Sequence, residues 1–326
     1  MALNNLTLRI AYPKWGYNLP VLILMHGWDS QTIDAPILER ISQQGFFCAA
    51  VGMRGRGGAD GARDGSGREI YDIYDAVQKI KADYPTRVSD NIAIMGWSGG
   101  GGNALASACK FPDTYTAVIS NFGMSDYGYD PTYGWYQQNA YFWTPLTEAI
   151  GDISLTNRYY SRDATSAITN YSGGKIFLIH DEGDSTVKKS HSDRIVSALS
   201  AASMTNYQTL FTTSADSLRY LHTMSYNGRE QRFAESVYLP QLKTMTAWTI
   251  PASGTLTIIG YIKTKRFEIW LNEGLDAVAS LVYDTATDTY TLTPMTTANI
   301  SVTITQENKT ASGIATVGQS TQFIVT

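Results

Sequence analysis

Short strand-like runs alternate with longer helix-like segments over the first 250 residues, and this alternation constrains the fold more than any other feature. The strand-like runs are apolar or β-branched and end at Gly, Asp or Pro, and they cover residues 6–12, 21–25, 46–52, 92–95, 117–121, 175–180 and 207–212. The segments with helical apolar spacing are residues 37–44, 69–84, 100–111, 187–202 and 229–248. Such alternation predicts an α/β protein with a doubly wound, mostly parallel sheet.

The pattern changes near Pro251, where the sequence becomes rich in Thr and alternates between apolar and polar residues, as in residues 255–259, 290–293 and 300–304. Five to seven short strands with turn residues between them predict an all-β, β-sandwich-like module over residues 251–326. The module lacks His, Cys and any carboxylate cluster suited to chemistry. We expect it to be a separable accessory unit that binds a polymer or another protein, beside a catalytic domain over residues 1–250.

Residues 122–173 form a long connection dense in Tyr and Trp. Connections of this length are uncommon unless they act as a lid or a binding loop. A small aromatic core of its own is the alternative, and the two are compatible. Four aromatic side chains are candidates for a substrate pocket: Trp97, Tyr127, Trp135 and Trp143.

Composition excludes several classes of function. The formal net charge of −4 provides no basic surface for nucleic acid and no polybasic membrane patch. No apolar run approaches the roughly 18 residues of a membrane span, and the first twenty residues lack the features of a secretory signal. Cys48 and Cys109 make neither a disulfide framework nor a zinc site, and both are expected in the core. No metal or cofactor is expected, and the compartment stays open.

The run Gly96-Trp97-Ser98-Gly99-Gly100 matches the pattern G-x-S-x-G. A predicted strand precedes it and a predicted helix follows it, which is the context of a nucleophile elbow. In that turn the serine oxygen stands above the sheet, and the helix N-terminus behind it stabilises developing negative charge. We therefore predict Ser98 as a nucleophile.

A serine nucleophile needs a base, and the chain has only four histidines. His26 ends an early strand, His180 ends a later one, and His191 falls in an amphipathic helical stretch where we expect it on the surface. His222 lies between the last strand and the last helix of the α/β part. Only His222 fits the chain order nucleophile, acid, histidine of this arrangement.

The acid is predicted on the loop that follows the strand ending at His180. Asp184 is favoured over Asp181 and Glu182 as the carboxylate that orients the imidazole. The tetrahedral intermediate needs two main-chain donors, and we predict the N–H groups of Gly99 and Trp28.

These stretches resemble the catalytic domain of prolyl oligopeptidase-type hydrolases and the related acetyl esterases. The resemblance covers about residues 15–248 and rests on His26-Gly27, residues 53–58 with Asp72 and Asp75 downstream, residues 96–100 and residues 180–187. It implies the α/β-hydrolase fold, and the family's triad falls on Ser98, Asp184 and His222. The family usually has glycine where this chain has Asp181.

The peptidases of that family carry a large N-terminal β-propeller, whereas only about 20 residues precede the first core strand here. The resemblance therefore favours an esterase that cleaves short-chain carboxylic esters, such as acetyl groups on a carbohydrate, through an acyl-enzyme. Two alternatives stay open: a peptidase or aminoacyl hydrolase with the same triad, and a non-enzymatic binding protein on a hydrolase scaffold.

Overall fold

The computed structural model describes residues 5–28, 30 and 33–326, and it contains two β-sheets. The seven strands of the first sheet are β1 (Thr7–Ala11), β2 (Leu19–Met25), β3 (Phe47–Gly52), β4 (Val88–Trp97), β5 (Ala117–Asn121), β6 (Lys175–Asp181) and β7 (Tyr207–Thr212). They lie in the order β1-β3-β2-β4-β5-β6-β7. Only β1 runs antiparallel to its neighbour, so the predicted mostly parallel, doubly wound sheet is confirmed.

The α-helices in the described part of the chain are α1 (Ala35–Ser42), α2 (Glu69–Asp83), α3 (Gly99–Lys110), α4 (Trp135–Gln138), α5 (Trp143–Ile150), α6 (Thr156–Tyr160), α7 (Ser190–Ala201) and α8 (Arg229–Leu242). The five predicted helices are α1, α2, α3, α7 and α8. Helices α7 and α8 are shorter than predicted by several residues. Val187 donates its N–H to the Asp184 carboxylate and so stays outside α7, while Ile250 leaves the line of α8 to enter the core of the second sheet.

Both faces of the first sheet are covered by apolar cores. Along β2, Val21 and Ile23 point into one core, and Leu22 and Leu24 point into the other. A parallel sheet buried on both faces favours continuous apolar strands, which accounts for the unbroken apolar run in β2.

The second sheet contains eight antiparallel strands rather than five to seven. They are β8 (Ser253–Ile259), β9 (Tyr261–Lys263), β10 (Glu268–Leu271), β11 (Val278–Asp284), β12 (Thr289–Pro294), β13 (Ile300–Gln306), β14 (Lys309–Ala315) and β15 (Thr321–Ile324). The strand order is β14-β13-β10-β9-β8-β11-β12-β15. The two end strands approach each other, since a Cβ on Gly313 would lie 2.9 Å from the Phe323 ring. The sheet thus folds over its own apolar core, as a β-sandwich-like module does.

The two sheets are joined through buried side chains. Tyr261 of β9 is fully buried in a core of the first sheet, with its ring centroid 5.9 Å from that of Phe111 and 5.7 Å from that of Tyr71. Ile259 and Val278 belong to the same core. The division of the chain at residues 250 and 251 stays a prediction, and any such division cuts through a shared core.

Residues 122–173 contain α4, α5 and α6 and a compact group of buried rings. Trp135 lies with its ring centroid 4.1 Å from that of Phe142 and 5.6 Å from that of Trp28. Tyr141, in contrast, is 81% exposed. The segment therefore has the aromatic core that was one of the two expectations, and its role as a lid stays a prediction.

Two further expectations concern single features. Cys48 and Cys109 are buried free thiols, as predicted. Within the described ranges, no helix has the length and apolarity needed to cross a membrane.

Candidate active site

Ser98 is the single residue between the end of β4 and the start of α3. Its backbone has φ 55° and ψ −120°, a conformation that residues with a side chain rarely adopt. The Ser98 N–H donates to the Asn121 carbonyl at 2.9 Å, which holds the turn against the end of β5. Such a strained turn between a strand and a helix is the geometry of a nucleophile elbow.

The flanking glycines are required by close main-chain packing. A Cβ on Gly96 would lie 2.1 Å from the Gly100 carbonyl, and a Cβ on Gly100 would lie 2.3 Å from the Met25 carbonyl oxygen. Any side chain there would push β4, α3 and β2 apart. The pattern G-x-S-x-G in this chain is therefore a consequence of how tightly the elbow packs.

The structure brings Ser98, His222 and Asp184 together in one line. His222 Nε2 lies 3.0 Å from Ser98 Oγ, and His222 Nδ1 lies 3.0 Å from Asp184 Oδ2. Because an ionised carboxylate only accepts hydrogen bonds, Nδ1 donates to Asp184 and Nε2 is left to accept from the serine hydroxyl. The Phe122 ring packs against the imidazole with 4.7 Å between ring centroids.

Asp184 is held by its own loop. Its Oδ1 accepts from the N–H groups of Thr186 at 2.9 Å and Val187 at 3.0 Å, which leaves Oδ2 for the imidazole. The carboxylate side chain is fully buried. A charged acceptor fixed in this way can hold His222 in one orientation.

The rival carboxylates of the same loop have other partners. Asp181 accepts from Arg219, from Thr212 Oγ1 at 2.7 Å and from the Gly183 N–H at 2.7 Å. Burial opposes ionisation of Asp181, but these hydrogen bonds outweigh it and hold the pKa of the carboxyl below its usual range. Glu182 accepts from the Ser214 N–H at the surface. The described carboxylate that His222 Nδ1 contacts is Asp184, at 3.0 Å, so the geometry favours Asp184.

Two of the remaining histidines are bound to main-chain carbonyls. His26 Nδ1 donates to the Gly27 carbonyl at 2.8 Å, and burial lowers the pKa of His26 to about 4. His180 Nε2 donates to the Val187 carbonyl at 2.8 Å. Both imidazoles are buried and support the loops around Ser98.

The prediction for His191 was wrong. It was expected on the surface of α7, but it is fully buried, and burial lowers its pKa to about 3. Its Nδ1 accepts from the Ser125 N–H at 3.3 Å. The connection 122–173 packs on this face of α7, and the periodicity of the helix alone cannot show which polar position another segment will cover.

The predicted oxyanion donors lie side by side. A Cβ on Gly99 would be 2.7 Å from the main-chain nitrogen of Trp28 and 2.9 Å from its Cα. Arg56 donates to the Gly27 carbonyl at 3.3 Å, and its guanidinium lies 5.4 Å from the centroid of the Trp28 ring. These contacts hold the peptide between Gly27 and Trp28 next to the start of α3.

The predicted pocket residues separate into three locations. Tyr127 and Trp135 pack with Trp28, with ring centroids 5.8 Å and 5.6 Å from its ring. Trp97 instead lies in the core beneath α8, where its Nε1 donates to a buried glutamine. Trp143 is 47% exposed on the outside of the connection. The contact of each of these side chains with a substrate stays a prediction.

Sequence reasoning missed Phe122, which packs on the imidazole. The available signal was its position, because it directly follows β5, and the carboxyl ends of parallel strands share one edge of the sheet. It also missed Arg219, whose role depends on a contact with Asp181 across 38 residues of chain. Among the described residues, no group of His, Cys, Asp and Glu side chains is suited to holding a metal ion.

A model of the prolyl oligopeptidase family matches residues 35–233, which is more than half of the chain and includes Ser98, Asp184 and His222. The chain belongs to the prolyl oligopeptidase family. Membership in this family of serine hydrolases confirms the resemblance described from the motifs and agrees with the α/β-hydrolase fold of the first sheet. The matched range ends before the second sheet begins at Ser253.

Solved structures show the same fold at low sequence identity. Acylaminoacyl peptidase from Pyrococcus horikoshii has a TM-score of 0.59 at 19% identity, over 75% of this chain and 41% of that chain. Dipeptidyl peptidase 4 from Porphyromonas gingivalis has a TM-score of 0.57 at 20% identity, over 74% of this chain and 34% of that chain. Esterase B from Lactobacillus rhamnosis, inhibited by a tributyrin phosphonate, has a TM-score of 0.56 at 18% identity, over 72% and 79%.

The matched part of the chain thus corresponds to about two fifths of the length of the acylaminoacyl peptidases to which it is similar. None of the curated proteins compared with the chain matches it.

Proposed function

We propose that the chain is a serine esterase that cleaves short-chain carboxylic esters through an acyl-enzyme on Ser98. The observation that carries the proposal is the continuous line from Asp184 Oδ2 through His222 to Ser98 Oγ, with 3.0 Å at each hydrogen bond. A nucleophile, a base and an orienting acid in this geometry are the components of the serine hydrolase mechanism.

In the proposed reaction, Ser98 Oγ attacks the ester carbonyl carbon while His222 Nε2 takes the hydroxyl proton. The carbonyl oxygen becomes an oxyanion that accepts from the N–H groups of Gly99 and Trp28, and Asp184 stabilises the imidazolium. His222 then gives the proton to the leaving alcohol as the C–O bond breaks, leaving an ester on Ser98. Water attacks this ester as His222 takes one of its protons, and His222 then returns a proton to Ser98 Oγ as the bond between Oγ and the acyl carbon breaks and the acid departs. Each oxyanion donor is worth about 3–4 kcal/mol of barrier in such a site.

The buried rings beside the oxyanion donors favour a small acyl group. Trp28 Cβ lies next to Gly99, and the indole continues into the cluster with Tyr127 and Trp135. All three rings are at most 4% exposed. Closely packed rings resist displacement, so we propose an acyl chain of a few carbons.

In this proposal, the part of the site that receives the alcohol of the ester is open to solvent. The His222 side chain is 18% exposed, so a leaving group that departs past the imidazole meets solvent. A carbohydrate alcohol fits such an open side, and the second sheet is proposed to hold the polymer that carries the ester. This part of the proposal rests on architecture and is tested separately below.

A peptidase or aminoacyl hydrolase is the second candidate, and the names of the structural neighbours favour it. Several of them are acylaminoacyl or dipeptidyl peptidases, against one esterase. Cleavage of an amide needs the leaving nitrogen to be protonated by His222 at the moment of departure, whereas the alkoxide of an ester is a better leaving group than an amide anion. Cleavage of an ester therefore depends less than cleavage of an amide on precise proton transfer from the partly exposed His222.

The first experiment tests the nucleophile. A fluorophosphonate probe should label the wild-type chain, and Ser98→Ala should abolish both labelling and turnover while the thermal unfolding transition is kept. Ser197→Ala, on the surface of α7, is the matched control and should be labelled like the wild type. Absence of labelling in the wild type would favour the non-enzymatic alternative.

The second experiment tests the substrate class. We expect kcat/KM to be highest for p-nitrophenyl acetate or propionate and to fall with longer acyl chains, with little activity on aminoacyl or dipeptidyl anilides. The opposite order would assign the chain to the peptidases. Turnover of acetylated glycans relative to p-nitrophenyl acetate, measured in the full chain, tests the carbohydrate part.

A further inference from the structure

We propose that Asp181 is a positioning residue. Through Arg219 and Thr212, it fixes the loop that carries Asp184 relative to the loop that carries His222. The inference rests on the proposed function, because it concerns the geometry between the proposed acid and the proposed base. It assigns a role to a buried carboxylate that the reaction itself does not use.

Asp181 is the last residue of β6, and its side chain is fully buried. Oδ2 accepts from Thr212 Oγ1 at 2.7 Å and from Arg219 Nε at 2.9 Å. Oδ1 accepts from the Gly183 N–H at 2.7 Å and from a second nitrogen of Arg219. Four donors from three chain segments therefore converge on one carboxylate. The guanidinium of Arg219 donates through two nitrogens, an arrangement that adds both strength and a defined geometry to the ion pair.

The first of these segments carries the proposed acid. Gly183 directly precedes Asp184, and the Asp184 N–H donates to the Asp181 carbonyl at 3.2 Å. The side chain and the main chain of Asp181 thus both hold the turn from which the Asp184 carboxylate projects. This turn fixes the acid relative to the end of β6.

The second segment carries the proposed base. Residues 213–228 join β7 to α8 without a helix or strand of their own, and Arg219 lies three residues before His222. Thr212, at the end of β7, accepts from the Tyr220 N–H at 3.0 Å through the same hydroxyl that donates to Asp181. The buried Tyr220 ring is a further anchor of this loop.

An irregular loop needs such anchors because its own backbone does not define where the imidazole sits. The two catalytic hydrogen bonds of 3.0 Å tolerate displacements of only about 0.5 Å. A contact that joins the loop of the acid directly to the loop of the base controls this distance. Loss of the contact should therefore slow the chemical step more than it weakens substrate binding.

The test compares Asp181→Asn and Arg219→Gln with their double variant in the full chain. Turnover of p-nitrophenyl acetate is divided by the number of sites that a fluorophosphonate labels, so that unfolded protein does not count. We expect kcat per labelled site to fall about tenfold to hundredfold in each single variant, with KM changed less than about twofold. The kcat of the double variant should be no lower than that of the less active single variant, because either change breaks the same contact.

Two further variants separate positioning from general structure. Arg219→Lys keeps a positive charge and one donor nitrogen, so it should recover part of the kcat that Arg219→Gln loses. Asp193→Asn is the matched control. It removes a half-exposed carboxylate of α7 that is paired with Lys189, and it should leave kcat unchanged. If Asp181→Asn does not fold, the series at Arg219, which is 30% exposed, decides the question.

Unchanged kcat per labelled site in Arg219→Gln would overturn the proposal, and so would losses that multiply in the double variant. Failure of the proposed function gives a different result, because then the wild-type chain itself is either unlabelled or is labelled but inactive on p-nitrophenyl acetate. An active, labelled wild type with equally active variants overturns only the role of Asp181.

Discussion

The side-chain ammonium of Lys110, at the end of α3, donates a hydrogen bond to the main-chain carbonyl of Ile259 in β8. Lys110 is fully buried, also donates to the Ser161 carbonyl at 3.2 Å, and lies 4.5 Å from the centroid of the Tyr261 ring. The helix that begins beside Ser98 therefore ends against the second sheet. We therefore expect the stability of the α/β part to depend on the second sheet.

A chain that ends at residue 250 is predicted to lose cooperative folding, contrary to the separable module expected from the sequence. The cut removes Ile259, Tyr261 and Val278 from the core of the first sheet, and large core truncations cost about 2–5 kcal/mol each. Thermal unfolding and fluorophosphonate labelling of the shortened chain measure the effect. A soluble fragment with a sharp unfolding transition and near-normal ester hydrolysis would instead support separability.

The stability of the protein should depend on pH through Lys110. Burial lowers its pKa to about 7 in the folded chain, against the ordinary value of about 10.4 when unfolded. Between these values the unfolded chain binds one more proton at this residue, so the free energy of unfolding rises with pH by up to about 1.4 kcal/mol per unit. Below pH 7 both states are protonated, and this contribution to the slope disappears.

Urea unfolding of the wild type and of Lys110→Met between pH 6 and 9 measures this contribution as the difference between the two curves. Lys79→Met removes an exposed lysine of α2 and should leave the slope unchanged. Parallel curves for the wild type and Lys110→Met would show that the buried amine stays protonated throughout.

Asp184→Asn should lower kcat by about 10⁴-fold with little change in KM, as the corresponding change does in a serine protease. The amide keeps the shape of the side chain but can no longer accept the Nδ1 proton as a charged partner, so His222 is held in the wrong tautomer. Steady-state kinetics on p-nitrophenyl acetate measure the loss. A larger loss in Asp181→Asn than in Asp184→Asn would reverse the assignment of the acid.

Gly99→Ala should lower kcat by about 10²–10³-fold, the effect of losing one oxyanion donor. The added methyl group would lie 2.7 Å from the Trp28 nitrogen and must push that peptide away from the start of α3. Gly254→Ala, whose Cβ would lie 3.2 Å from a tyrosine hydroxyl in the second sheet, is the control. Normal turnover in a folded Gly99→Ala variant would exclude Trp28 as the second donor.

Local patterns in the sequence were sufficient for the fold and for the elbow. Strand and helix periodicity depends on neighbours a few residues apart, so the alternation up to residue 250 predicted the parallel sheet, and the alternating Thr-rich segments predicted the antiparallel one. The glycines around Ser98 are equally local, because the turn itself demands them. Chain order then selected His222 among four histidines.

Contacts between distant segments were decided only by the tertiary structure. The same sequence window contains Asp181 and Asp184, and which of them faces the imidazole depends on where Arg219 and His222 arrive 38 residues later. The burial of His191 likewise depends on a segment that packs over its helix. Periodicity determines which residues share a face of a helix or strand. Which segment covers that face, and which charged groups are paired there, is decided only when the chain folds.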